Sequence, residues 1–391
     1  MPCHIRVGLS RLPAVPLGSF PRATLELTCN AVSPWATPPS LPPESQRDFR
    51  LRCGIGARSL LCQTNGMVPM RRTLRIHKFD PDVLIDIKRL GRLDNWHAPL
   101  AVLADFTVIG LAILAVKAIG WIVYPLAVIL IGSRQRALAT LLHEAAHGTL
   151  ALNRTLARLI ATFCSGYLIF STLSAYKASH VVGHHGRFGH PELDPDYRYM
   201  LSKGIYAAHD RRQRLWEVVI KPCLLGSVPS YLWYVLAART VEAVRTPGGV
   251  RESVWMGTYW ALIVGAALLL HVGMDLVLFW FVPLFSSYLV IGWFIELSEH
   301  APLMRNELDL YTTRNRNSHW LEGFLTGMHG ERYHLAHHLR PRVPFWRMKE
   351  LHRVLLRDQK YREWDQRCGG IFLSANRAPS VIAILLESAV R

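Results

Sequence analysis

Apolar residues concentrate in two long blocks, and the polar residues that interrupt them set the expected architecture. Residues 98–132 are almost wholly apolar, broken by Asp105, by Lys117 and by a turn signal at Ile119 and Gly120. A helix needs roughly 20 apolar residues to cross a bilayer. The block therefore predicts a tight helical hairpin with arms at 98–116 and 120–132. Nothing breaks the helix between Ser133 and His143, so the short second arm is expected to continue through Arg134 and Arg136 to residue 147. Residues 254–296 form the second block, with His271, Gly273 and Asp275 near its middle. They predict another hairpin, with arms at 254–270 and 274–296.

Both hairpin turns are nearly free of Lys and Arg, whereas the flanks are rich in them. Arg71, Arg72, Arg75, Lys78, Lys88, Arg89 and Arg92 precede the first hairpin, Arg134 and Arg136 follow it, and Arg245 and Arg251 precede the second. Basic loops stay in the cytoplasm, so both termini and the long connecting segment are expected there. The expected fold class is an all-α integral membrane protein with four spans in two hairpins and a cytosolic cap, placed in a bacterial inner membrane.

Residues 159–176 and 216–238 are also hydrophobic, the latter broken by Lys221, Pro222 and Pro229. Both are read as interfacial helices lying against the membrane. Asp105 is costly in lipid and is expected to face the bundle or lie near its cytosolic end. Residues 1–66 carry Pro and Ser clusters, scattered Arg and four cysteines, with no sustained periodicity. No fold is expected there. A start assigned too far upstream, with Met67 or Met70 as the true beginning, is the simplest account, and a disordered extension is the alternative. The domain proper is expected over 67–391.

Composition narrows the class. Half of the 391 residues are apolar and 19% are charged, which excludes a disordered chain and weighs against a water-soluble enzyme. The 45 Lys and Arg outnumber 28 Asp and Glu, a net charge of +17. In so apolar a chain this points to anionic lipid headgroups, and no nucleic-acid-binding signature accompanies it. The seven cysteines form no C-x-x-C pair, so neither a disulfide framework nor a thiolate zinc site is implied and a reducing compartment is expected.

Eight of the 18 histidines fall into three tight clusters. His143-Glu-Ala-Ala-His147 follows the second arm, and i, i+4 spacing puts both imidazoles on one helix face. Ten residues past Ser133 carries this pair on the order of 15 Å beyond the apolar zone. His180-Val-Val-Gly-His184-His185 repeats the i, i+4 pair with a neighbour, and His334-Leu-Ala-His337-His338 offers i, i+3 and i+4. Taken alone, H-E-x-x-H reads as a membrane zinc peptidase with Glu144 as general base. That reading leaves most of the other histidines without a role. Eight imidazoles exceed the needs of one tetrahedral zinc and suit two irons with open positions for oxygen. If all three clusters meet at one site, an even number of crossings separates them, so residues 159–176 cannot span alone.

This pattern resembles the membrane fatty acid desaturase family, whose three histidine boxes read H-x3/4-H, H-x2/3-H-H and H/Q-x2/3-H-H. The likeness covers roughly residues 100–346. It includes the acidic segment Asp194-Pro195-Asp196 after the second box and the run His337-His338-Leu339-Arg340-Pro341-Arg342-Val343-Pro344 at the third. The resemblance implies that His143, His147, His180, His184, His185, His334, His337 and His338 bind a non-haem diiron centre, with His300 as a further ligand. His319 and His329 are weaker candidates, and His190 is expected to be only a neighbour. Glu144 is expected to orient a liganding imidazole rather than to move a proton, and no catalytic residue beyond the metal centre is implied.

An unactivated C–H bond does not yield to side-chain acid–base chemistry. The resemblance implies an O2-dependent desaturase with O2 as co-substrate. Electrons would come from a separate ferredoxin or cytochrome b5-type protein and its reductase, since the chain shows no haem module, flavin fingerprint or ferredoxin-like Cys run. A basic cap including Arg211, Arg212, Arg214, Arg340 and Arg342 would suit an acidic donor, or simply a lipid-facing surface. The family's usual substrate is a fatty acyl chain in membrane lipid. Other members act on small amino-acid-derived metabolites such as dihydrorhizobitoxine, and some hydroxylate instead. No acyl-carrier module and no legible clamp for a carboxylate or amine is visible in the residues.

Overall fold

Among the described residues, four helical stretches are long and apolar enough to cross a bilayer: His97–Ile119, Trp121–His147, Gly249–Leu269 and Gly273–Arg305. The computed structural model describes residues 74–207, 210–230, 232–233, 241 and 244–387. The expectations for residues 1–66, for Met67 and Met70 and for Arg71 and Arg72 lie outside this range. Within it the chain is helical, with only two isolated β-bridges, Arg75 to Leu308 and Ser318 to Ser374. The protein is all-α.

Helix α1 (Pro81–Leu90) precedes the first hairpin, which is α2 (His97–Ile119) and α3 (Tyr124–His147). Between them Gly120 adopts φ 109°, a region that disfavours any residue with a Cβ. On α2 the buried residues Ala98, Ala101, Asp105, Ile109, Ala112 and Val116 recur every three or four positions, while Leu100, Leu103, Leu111 and Leu114 are exposed. Small residues inside and leucines outside is the arrangement expected of a helix facing lipid. As expected, α3 runs unbroken through Arg134 and Arg136 to the first histidine pair.

Helix α4 (Arg154–Ala161) starts at Asn153, whose side chain accepts from the backbone N–H groups of Thr155 and Leu156. The expected single interfacial helix over 159–176 is not formed. Phe170 takes a left-handed φ of 55°, and the chain turns by 86° between Arg154–Ile169 and α5 (Leu173–His185). Helix α6 (Pro195–Ser202) follows, capped by Asp194. Of the second expected interfacial helix, residues 216–223 form a π turn and a short α turn, Leu225 has φ 61°, and residues 231 and 234–238 lie outside the described range.

The second hairpin begins with α7 (Gly249–Leu269), five residues earlier than expected. Its turn is at His271, and the return arm contains a π turn at Val277–Phe281 and a break at Ser286 before α8 (Ser287–His300). This arm runs past 296, so that His300 ends it. Helices α3 and α8 cross at Gly132, where an added Cβ would lie 2.1 Å from Ser287 Oγ and 2.7 Å from Tyr288 N. The Ser287 hydroxyl donates to Val128 O at 2.6 Å across the same crossing. This close approach sets the C-terminal halves of both helices side by side. Helices α9 (His334–Leu339) and α10 (Met348–Leu355) complete the cap, where Leu335, Leu339, Leu351 and Leu355 pack with Val83 and Ile87 of α1.

Candidate metal centre

The first pair sits on the last turn of α3, and its rings are 4.7 Å apart between centroids. The second cluster lies on the part of α5 that winds as a π-helix, Lys177–His185, closed by Gly186 N–H donating to Val181 O five residues back. That wider turn brings both i+4 and i+5 back over i, and π turns recur at functional sites. The rings of His184 and His185 are 5.4 and 4.8 Å from that of His180. The third cluster occupies α9, and His300 is the last residue of α8.

These nine imidazoles fall into two adjoining sets. One nitrogen from each of His143, His147, His180, His185 and His337 lies within 4.8 Å of all the others, and the same holds for His184, His300 and His338. His334 joins the second set, its Nε2 being 2.9 Å from His300 Nε2 and 3.0 Å from His338 Nε2. Each His-His doublet is divided: His185 and His337 turn to the five-ring set, His184 and His338 to the four-ring set. Successive residues on a helix point about 100° apart, so a doublet contributes to two neighbouring sets where an i, i+4 pair contributes to one.

The donors suit a metal. Buried polar nitrogens are normally hydrogen-bonded, yet Nε2 of His147, His180 and His184 has no hydrogen-bond partner. Elsewhere Nε2 faces Nε2, at 3.3 Å between His337 and His185 in addition to the pairs above. Two nitrogens bound roughly at right angles to one ion at about 2.1 Å would be about 3.0 Å apart. Burial, and then the neighbouring imidazoles, hold His334, His337 and His338 well below the ordinary histidine range. They are therefore neutral, the form that binds metals. His184 differs: burial pulls it down, but Asp194 and Asp196 override that and push it up to about 9.

Carboxylates stand behind several rings, and one of them is hydrogen-bonded to its ring. Asp194 Oδ1 lies 3.0 Å from His184 Nδ1 and Asp196 Oδ2 3.3 Å from the same atom. Asp194 is held in turn by the N–H groups of Gly189, Asp196 and Tyr197. Glu299 Oε1 is 3.4 Å from both His334 Nδ1 and the buried Arg316. Glu144 Oε1 is 3.4 Å from His143 Nδ1, while its Oε2 accepts from Thr149 Oγ1 at 2.8 Å and Phe345 N at 3.0 Å. Glu144 thus stands beside His143 without a hydrogen bond to its Nδ1, and its own hydrogen bonds run to Thr149 and Phe345. A zinc peptidase needs a free glutamate and one further ligand; here Glu144 is committed and seven more imidazoles surround the H-E-x-x-H pair.

Three other histidines belong to neither set, although His329 lines the same cavity. His319 caps the helix Trp320–Thr326, and His190 Nδ1 accepts from the N–H groups of Glu192 and Leu193. His329 Nε2 is 2.7 Å from Asp105 Oδ2, with Arg134 3.7 Å from the other oxygen. Asp105 is thus buried and faces the bundle, as its cost in lipid requires. The expected basic cap loses one member: Arg214 is buried and donates to Ile205 O and Ala207 O.

A cavity of about 160 Å³ opens against both sets of rings, with Arg136, Tyr176, Asp196, Glu296 and Glu331 in its wall. Sequence reasoning singled out Asp194 and Asp196 only as an acidic segment, and missed the other wall residues and the roles of Glu299 and Arg316. The available signal was acidic residues at 296 and 299, at the end of an apolar span.

The family profile described as fatty acid desaturase matches residues 119–368. The chain is 34% identical over 309 residues to dihydrorhizobitoxine desaturase of Bradyrhizobium elkanii, covering 77% of this chain and 88% of the relative. It is 24% identical over 280 residues to the chloroplastic omega-3 fatty acid desaturase of Glycine max, covering 66% of this chain and 60% of that protein.

Proposed function

The chain belongs to the fatty acid desaturase family and is an integral membrane oxidoreductase, and within that frame we propose an O2-dependent desaturase of a small amino-acid-derived metabolite, holding two non-haem irons. The observation that carries the substrate class is the cavity wall. Arg136, Asp196, Glu296, Glu299 and Glu331 line it beside the imidazoles. An alkyl chain offers this charged and polar wall no interaction and would desolvate it at high cost, whereas a zwitterion can pair with it. The relative of 34% identity, named for dihydrorhizobitoxine, supports the same choice.

His143, His147, His180, His185 and His337 would hold one iron, and His184, His300, His334 and His338 the other. Two irons so bound, with O2 and two electrons from a separate donor, would supply the oxidising power to take two hydrogens from adjacent carbons. The residues around them orient and enclose. Asp194 would fix the tautomer of His184 from behind, with Glu299 and Glu144 as charges near His334 and His143, and the cavity wall would position the substrate at sub-ångström tolerance, which separates desaturation from hydroxylation. We place the site on the cytoplasmic face of a bacterial inner membrane, reached by a ferredoxin or cytochrome b5-type donor across the exposed Arg211, Arg212 and Arg342.

A fatty acyl chain is the second reading, favoured by the position of the site at the ends of two membrane helices and by the omega-3 relative. Expression with a ferredoxin and its reductase, supplied with dihydrorhizobitoxine, tests both. The expected result is a polar product two hydrogens lighter, with unchanged lipids, from protein containing about two irons. New double bonds in lipid acyl chains alone would overturn the metabolite reading, and a single zinc without iron would overturn the oxidase.

A further inference from the structure

Arg136 and His143 are i and i+7 on α3, hence on the same face and about 10 Å apart along the axis. Among the described residues of the cavity wall, Arg136 is the sole guanidinium or ammonium. Its Nη2 lies 2.7 Å from Glu331 Oε1, and the two side chains are 13% and 10% exposed. The pair is incomplete on both sides. Arg136 Nε and Glu331 Oε2 are buried without a hydrogen-bond partner, the Arg316 guanidinium being 4.0 Å from that oxygen. A buried donor and a buried acceptor left unmade are both costly. The free donor belongs to a cation and the free acceptor to an anion, so the group that completes them carries a carboxylate and an ammonium together.

The metal charge does not account for this pair. Irons on neutral imidazoles would carry excess positive charge, but Glu144, Asp194, Asp196 and Glu299 already stand 3.0 to 3.4 Å from ring nitrogens. Glu331 has no such ring contact. It follows the left-handed residues His329 and Gly330, at φ 50° and 74°, a turn that carries it beneath Arg136.

We propose that Arg136 and Glu331 form the head-group clamp of the substrate site: Arg136 takes an α-carboxylate and Glu331 the adjacent ammonium of a free amino acid. This rests on the small-metabolite reading above and adds to it. Arg136 lies about two turns of α3 from His143, so the carbons that would lose hydrogen are separated from the amino acid head by a few bonds. A guanidinium fork suits a carboxylate in a way lysine does not.

The test crosses changes in the protein with changes in the ligand. Iron-loaded protein in nanodiscs is titrated anaerobically with dihydrorhizobitoxine, its α-N-acetyl derivative and its methyl ester. Wild type should bind the parent roughly 10- to 100-fold more tightly than either derivative, since each loses a charge-assisted hydrogen bond. Glu331→Gln should erase the preference for the free amine and keep that for the free acid, and Arg136→Gln the reverse. Because each single variant strands a buried charge, the double variant Arg136→Gln/Glu331→Gln is included. It leaves no lone charge and should lose both preferences with unchanged iron content. Wild-type binding with both preferences intact in the variants overturns the clamp alone. Failure of wild type to bind any of the three overturns the small-metabolite reading and the clamp with it.

Discussion

The two sets of imidazoles differ in what stands behind them. In the four-ring set, His184 is backed by Asp194 and Asp196, and His334 by Glu299, with Arg316 fully buried beyond. In the five-ring set, among the described residues, only His143 has a carboxylate near its far nitrogen, Glu144 at 3.4 Å, and no hydrogen bond joins them. The four-ring set is positioned by a charged scaffold. The five-ring set is positioned by helix geometry, through one α turn and one π turn. The difference teaches that an outer shell and a stiff backbone are alternative ways to hold a ligand ring.

Removing a ring should break the comparison most severely. His184→Ala should empty the four-ring set and His337→Ala the five-ring set, each halving bound iron and abolishing turnover. Metal analysis beside a product assay checks this, and full turnover in either variant would count against the assignment of these rings as ligands. Asp194→Asn should come next, weakening metal binding at the four-ring set by roughly 10- to 100-fold. Glu144→Gln should weaken it less, because its amide still accepts from Thr149 and Phe345 and only one ring depends on it; competition with a chelator gives both numbers.

A pH effect separates the sets further. His184 is pushed up to about 9 in the folded protein, against about 6.5 unfolded. A raised value adds stability below pH 6.5 that is lost as pH rises through 9. Iron-depleted protein should therefore melt at falling temperature across that window, and Asp194→Asn should flatten the fall. The rings of His334, His337 and His338, held low, contribute no change above pH 6.5. The smallest effect is expected outside both sets: His190→Ala should leave iron content unchanged, and His319→Ala should cost only about 1 kcal/mol, as a lost helix cap.

Much of this was legible in the letters because it is local. Apolar runs of spanning length gave the two hairpins, and i, i+4 spacing gave the first histidine pair as a two-toothed donor on α3. The interfacial reading of 159–176 missed the 86° turn because Phe170 in a left-handed conformation leaves no mark in hydrophobicity. The head-group pair went unseen for a different reason: Arg136 and Glu331 are 195 positions apart, and each looks like an ordinary surface charge.

By itself the sequence determined the class of donors, the membrane setting and the order of the elements, since composition and periodicity act within one helix at a time. Only the tertiary structure decided that each doublet divides between two sets of rings, which carboxylates stand behind which rings, and that the remaining charges line a polar chamber. Those outcomes depend on how closely α3 and α8 cross at Gly132 and on the wider winding of α5. Both are set by contacts between distant segments, whose distances no local pattern encodes.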